Sequence, residues 1–199
     1  DTQVTVGGRE RSLLNEIDEI SSVSGGSFTA AYYGLHGDRI FEDFESRFLR
    51  KNVQGALIGR YFNPFYWLKR ISPSYSKTDL VAEYYDKEIF EGATFGDFTR
   101  KNVPSIIINA TELASGSRFP FTRPMFDLIC SDIDSYPVSR AVAASSAVPV
   151  LFSTIRLKNY AGECGYEPPA WIEATANDGE TTSRKMDARS LQTYLDKEK

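Results

Sequence analysis

A three-layer α/β fold with a mostly parallel central sheet is predicted by two apolar patterns that alternate along the chain. β-branched runs occur at residues 17–23 and 103–110, while Phe28, Ala31, Tyr32 and Leu35 recur at the i, i+3, i+4, i+7 spacing of a helix face. Strands that alternate with helices pair side by side, and the helices cover the sheet. With 199 residues, 41% hydrophobic and 25% charged, the chain can bury one sizeable core, and a single domain over 1–199 is expected.

Composition narrows the function classes. The net charge is −4, and no segment concentrates lysine and arginine as a nucleic-acid surface requires. Two cysteines, Cys130 and Cys164, and one histidine, His36, suggest neither a zinc constellation nor a disulfide framework, and they leave the redox compartment open. No metal or cofactor is expected. No run approaches the length of a membrane span, so a soluble chain is expected, in the cytoplasm or peripherally on a membrane.

In order, Gly7-Gly8 has neither a preceding apolar strand nor a following small-residue helix and reads as a surface turn; Arg9 to Asn15 reads as a turn or short helix. The stretch from Glu16 to Leu35 then carries a strand through Ile17, Ile20 and Val23 into a helix through Phe28 and Leu35, with the junction at Ser24-Gly25-Gly26. A serine on a tight turn between strand and helix presents its hydroxyl at the sheet's edge, and the following amides face any negative charge that develops there. The glycines are expected to relieve crowding. The letters Ser22-Val23-Ser24-Gly25-Gly26 depart from Gly-x-Ser-x-Gly at the first small position, so the strand and helix context carries the reading. Ser24 is the candidate nucleophile and the Gly25 amide the candidate oxyanion donor. Ser21 and Ser22 fall inside the strand and Ser27 inside the first helical turn.

Ile40, Phe41, Phe44, Phe48 and Leu49 form an amphipathic stripe assigned to core packing. Tyr61, Phe62, Phe65, Tyr66 and Trp67 place five aromatic rings in seven positions, flanked by Arg60, Lys69 and Arg70. Such a run more often fills a core, yet its flanking cations also suit a lipid interface. Thr78 to Phe90 reads as a helix capped at Thr78 or Asp79. Val103 to Ala110 reads as a buried central strand, Thr111 to Thr122 as a β-excursion or loop, and Ser139 to Ala147 as a small-residue helix ended by Pro149 and packed closely on the Ser24 region. From Tyr160 onward, Pro168-Pro169 and the polar tract from Asn177 to Lys185 predict a surface excursion that is partly disordered.

Ser22-Val23-Ser24-Gly25-Gly26-Ser27 with the following Ala-Ala-Tyr-Tyr-Gly-Leu, the block Ala141 to Pro149 followed by Phe152, and the strand Val103 to Thr111 between them together resemble the patatin-like phospholipases, over about residues 13–155. That resemblance implies the three-layer fold and a lipid acyl hydrolase with a Ser-Asp dyad, cleaving acyl esters through an acyl-enzyme. It also implies a glycine-rich oxyanion loop, expected before residue 1, and an Asp-Gly-Gly or Asp-Gly-Ala base turn. Asp178-Gly179 is the one Asp-Gly dipeptide, but Glu173 to Asn177 do not form a buried strand and Glu180 replaces the small residue, so the base is expected beyond residue 199. His36 is disfavoured as base, since twelve residues of helix separate it from Ser24 by about 18 Å. The chain is thus expected to be a fragment, inactive alone. The alternative is a catalytically silent patatin-like module that binds lipid or a partner, favoured by the serine at position 22 and by the missing loop and base.

Overall fold

The computed structural model of the chain describes residues 2–61, 76–98, 103–147, 153–177 and 183–195. A hairpin comes first: β1 (Gln3–Val6) pairs antiparallel with β2 (Arg9–Ser12), and Gly7 and Gly8 between them both have positive φ, 57° and 76°. Two consecutive left-handed residues match the right-handed twist of the flanking strands, which is why glycines occupy this surface turn.

The main sheet has the order β3-β4-β5, with β3 (Glu19–Val23), β4 (Ser105–Thr111) and β5 (Arg118–Phe121). β3 and β4 run parallel, with Ile20 opposite Ile106 and Val23 opposite Asn109. A parallel pair needs a long crossover. Here it contains α1 (Gly25–His36), α2 (Ile40–Phe44), α3 (Val53–Tyr61) and α4 (Lys77–Tyr85). β5 instead returns antiparallel on β4, with Ile108 opposite Phe121, across a turn too short for a crossover. Glu112 closes that turn by accepting from the amides of Ala114 and Ser115, at 2.9 and 2.7 Å. The described sheet is therefore mixed, with one parallel and one antiparallel pairing, rather than mostly parallel.

Its two faces differ. Ile106, Ile108, Phe119 and Phe121 are buried on one face, under Phe28, Ala31 and Tyr32 of α1, Val81 and Tyr85 of α4, and Ala141 and Val142 of α6 (Val138–Ser145). Phe28 stacks on Phe48 with centroids 4.4 Å apart and meets the Tyr85 ring edge-on at 4.7 Å. On the opposite face Glu19, Ser21, Val23 and Ser105 are exposed, so two layers, not three, are assembled among the described residues. The stripe on residues 40–49 is narrower than its letters suggest: Ile40, Phe44 and Phe48 turn inward, whereas Phe41 and Leu49 are 75% and 63% exposed.

α4 is capped two or three residues earlier than expected. Its cap is Ser76, whose hydroxyl accepts from the Asp79 amide while Asp79 accepts from the Ser76 amide, at 3.1 and 2.8 Å. Thr78 is not a cap; it is buried and its hydroxyl donates to the Ser153 carbonyl. The reciprocal pair satisfies two orphan amides at once, a gain that neither Thr78 nor Asp79 as cap provides. Burial pushes the Asp79 carboxyl up, but its bonds from Ser76 and the Arg140 guanidinium at 2.5 Å leave it below the usual range.

The C-terminal part is folded against this core, contrary to the predicted excursion. α5 (Arg123–Leu128) leads to Cys130, which is bonded to Cys164, although no disulfide was expected from two cysteines 34 residues apart. α7 (Ala170–Ala176) and α8 (Ser183–Leu195) pack together, burying Ile172, Ala176 and Ala188. Tyr194 meets Phe119 edge-on at 5.7 Å, and the Asn159 amide donates to the Tyr194 carbonyl at 2.6 Å. Polar letters hid α8 because it needs only a narrow apolar stripe, Ala188, Leu191 and Leu195, to seat on the core.

Gly34 marks the tightest contact between α1 and the sheet. A methyl there would stand 2.5 Å from Ile106 Cγ1 and 2.8 Å from Phe98 Cε1. Gly34→Ala in the full-length protein is expected to lower stability by about 1–3 kcal/mol, since overpacking outweighs the helix-propensity gain of about 1 kcal/mol. A urea midpoint equal to or above that of the wild type would contradict this packing.

Candidate active site

Ser24 is the single residue between β3 and α1, and its backbone has φ 52° and ψ −129°. Among the described residues, Glu91 and Cys130 are the only other non-glycines with positive φ. An L-residue held there carries strain of about 1–3 kcal/mol, and the surrounding structure must over-determine it. The strain has a geometric result: the chain reverses sharply at the carboxyl end of a parallel strand, and the Ser24 side chain is exposed and caps no amide of α1. The α1 amides at Gly25 and Gly26 lie in the first turn, where no carbonyl of the helix can reach them, at the positive end of its dipole.

Among the described residues, no atom outside the adjoining residues and the backbone of α1 lies within 4 Å of where a Cβ would stand on Gly25 or Gly26. The expected crowding at these glycines is not made by any of the described residues.

The rival serines are committed elsewhere. Ser22 is buried and donates to the Ile107 carbonyl at 3.1 Å. Ser21, on the strand, accepts from the Asn109 side-chain amide at 2.9 Å, and that same amide donates to the Ser22 carbonyl at 3.0 Å. Asn109 thereby ties the end of β4 to the end of β3; its side-chain oxygen is buried and has no partner among the described residues. Ser27 is fully buried, 2.9 Å from the Ser145 hydroxyl.

Ser145, the last residue of α6, was not singled out by sequence reasoning. Its hydroxyl donates to the Asn109 carbonyl at 2.6 Å and accepts from the Ser24 amide at 2.9 Å. The signal was a serine within a helix otherwise chosen for smallness; Val138, Ala141, Val142 and Ala143 are all buried, so α6 approaches the turn closely enough for so short a side chain to reach it.

His36 lies at the far end of α1, its ring 4.4 Å from that of Tyr32. Burial, with help from Arg39, holds its pKa below the ordinary value, and its Nε2 is buried without a partner among the described residues. It is not brought to Ser24. Asp178, Pro149, Phe152 and the run from Phe62 to Trp67 lie outside the described residues, and of Tyr61 only the backbone, at the end of α3, is described. The segment just before Asp178 is the helix α7, not a strand. No group of three or more His, Cys, Asp or Glu among the described residues is placed to hold a metal ion.

A family model, patatin-like phospholipase, matches residues 6–188. The chain belongs to the patatin-like phospholipase family. The match spans β3, the Ser24 turn, α1, β4 and α6, the elements that the hydrogen bonds of Ser145 and Asn109 join, and it extends through α7 into α8. Patatin-like domains are α/β folds and form a family of lipid acyl hydrolases. No curated protein and no solved structure matches the chain. No helix among the described residues is long and apolar enough to cross a membrane.

Proposed function

We propose that this patatin-like chain supplies the nucleophile of a lipid acyl hydrolase that cleaves carboxylic esters through an acyl-enzyme. The observation that carries the reading is Ser24: strained, exposed, and at the strand-to-helix turn directly before the first-turn amides of α1. Ser24 Oγ attacks the ester carbonyl and gives its proton to an aspartate, forming a tetrahedral intermediate whose oxyanion accepts from the Gly25 amide. On collapse the aspartic acid returns its proton to the departing alkoxide, which leaves as the alcohol; the aspartate then takes a proton from water, which attacks the acyl-serine, and the second collapse frees the fatty acid and reprotonates Ser24 Oγ. The aspartate is the base that the Ser-Asp dyad of the family implies, and His36, at the other end of α1, is not brought to Ser24. The reading includes a single domain over 1–199 in a three-layer fold with a mostly parallel sheet, in which a further layer covers the face of Glu19, Ser21 and Val23. Ester hydrolysis and fluorophosphonate labelling of the full-length protein, compared between wild type and Ser24→Ala, test it; the absence of both in the full-length wild type would favour the silent binding module.

The Cys130–Cys164 bridge supports an oxidising compartment, where such bonds persist, over the cytoplasm. Lipid contact is assigned to Tyr61, Phe62, Phe65, Tyr66 and Trp67, whose rings with neighbouring cations suit a headgroup boundary. Phe65→Ser with Trp67→Ser should reduce liposome co-sedimentation of the full-length protein, and equal sedimentation would refute this contact.

A further inference from the structure

The Ser145 hydroxyl uses its whole hydrogen-bonding capacity at one place. The Asn109 carbonyl can only accept, so Ser145 donates its single proton there, at 2.6 Å. Its two lone pairs are left for the Ser24 amide and the Ser27 hydroxyl, each at 2.9 Å, and Ser27 is then the donor of that pair. Three elements meet on one oxygen: the end of β4, the end of α6 and the turn into α1. The amide bound is that of the residue held at φ 52°. The adjacent Ser146 turns away and donates to the Val142 carbonyl of its own helix at 2.7 Å, so the two serines of the pair are not equivalent.

We propose that Ser145 is a positioning residue that holds Ser24 in its attacking conformation. The inference rests on the reading of Ser24 as nucleophile. A hydrogen bond to the strained residue's own amide opposes relaxation of its backbone toward an ordinary conformation, which would swing Oγ away from the first-turn amides of α1. The Asn109 carbonyl fixes the direction of the Ser145 proton, and the Ser27 hydroxyl fills the other lone pair, so the group cannot rotate without losing a bond.

The test is the rate of fluorophosphonate labelling, with kcat and KM for a short-chain p-nitrophenyl ester, on the full-length protein. Ser145→Ala is expected to slow labelling and lower kcat roughly ten- to a hundredfold with KM unchanged, the scale of a nucleophile misplaced by about 1 Å. Ser145→Thr, which keeps the hydroxyl, should recover most of that rate, and Ser146→Ala should match the wild type. A folded Ser145→Ala with a lowered unfolding midpoint but wild-type kcat and labelling below that midpoint overturns the proposal. If Ser145→Ala does not fold, Ser27→Ala decides, because it removes the donor that fills the second lone pair: slower labelling with unchanged KM supports the role, and wild-type labelling overturns it. Retained labelling in Ser24→Ala would sink the nucleophile assignment itself, whereas its loss there combined with wild-type labelling in Ser145→Ala sinks the positioning role alone.

Discussion

Replacing Ser24 by alanine in the full-length protein is expected to abolish fluorophosphonate labelling and to lower kcat for a short-chain p-nitrophenyl ester by a factor on the order of 10⁴ or more. A change of this size is expected only where the attacking atom itself is removed, since losing one oxyanion donor costs about 10²–10³-fold. Ser22 and Ser27 are buried and hydrogen-bonded, and Ser21, although exposed, lies on β3 and accepts from the Asn109 side-chain amide, so none of the three stands at the turn where Ser24 does. The loss should come without instability: Ser24 caps no amide, and alanine keeps the same backbone. Ser24→Gly should be equally inactive yet more stable by about 1 kcal/mol, because glycine adopts φ 52° without the strain an L-residue carries there. His36→Ala should leave the chemistry largely intact, since that ring packs on Tyr32 at the opposite end of α1. Labelling that survives in Ser24→Ala, or turnover lost in a folded His36→Ala, would assign the nucleophile or the base to another residue.

What made Ser24 legible was a change of hydrophobic period at one residue. A strand pattern ends at Val23, a helix pattern begins at Phe28, and the four small residues Ser24 to Ser27 stand between them; β3, α1 and β4 follow from the same kind of signal. Ser145 and Asn109 were not legible as partners, because their bonds to Ser24 and Ser22 span 121 and 87 residues and depend on how closely α6 and β4 approach, which no local pattern encodes. The cap of α4 was missed by two residues for a subtler reason. Ser76, Thr78 and Asp79 are all competent caps, and only the choice made in three dimensions, with Thr78 bonded to Ser153, leaves Ser76 at the end of the helix. Thr111 to Thr122 read as a β-excursion or loop, and β5 lies within it; its antiparallel pairing was not legible, because Phe119 and Phe121 bury their rings only by pairing with β4.

The cysteines show the same limit at longer range, and they carry the largest expected effect on stability. Cys130 and Cys164 carry no motif, yet the fold brings their Cα atoms to 5.6 Å, within bonding geometry. Their positions explain how: the Tyr160 amide donates to the Ile129 carbonyl at 3.0 Å, so the segment leading to Cys164 is already laid along the end of α5. The bridge closes a loop over a sequence separation of 34 residues that contains α6 and therefore Ser145. In the chain-entropy model a loop of that size removes enough freedom from the unfolded chain to contribute about 4 kcal/mol. Cys130→Ser with Cys164→Ser in the full-length protein should lower unfolding stability by about that amount, and reduction of the wild type should give the same urea midpoint as the double variant. Alkylation by iodoacetamide should occur only after reduction. Thiols that react in the folded, unreduced protein, or a urea midpoint untouched by both treatments, would show that the two sulfurs are not bonded. Because α6 lies inside the closed loop, kcat should fall in the reduced protein as unfolding sets in, with the remaining folded fraction labelling at the wild-type rate; Ser145→Ala is expected to do the reverse, slowing labelling in protein that is still folded.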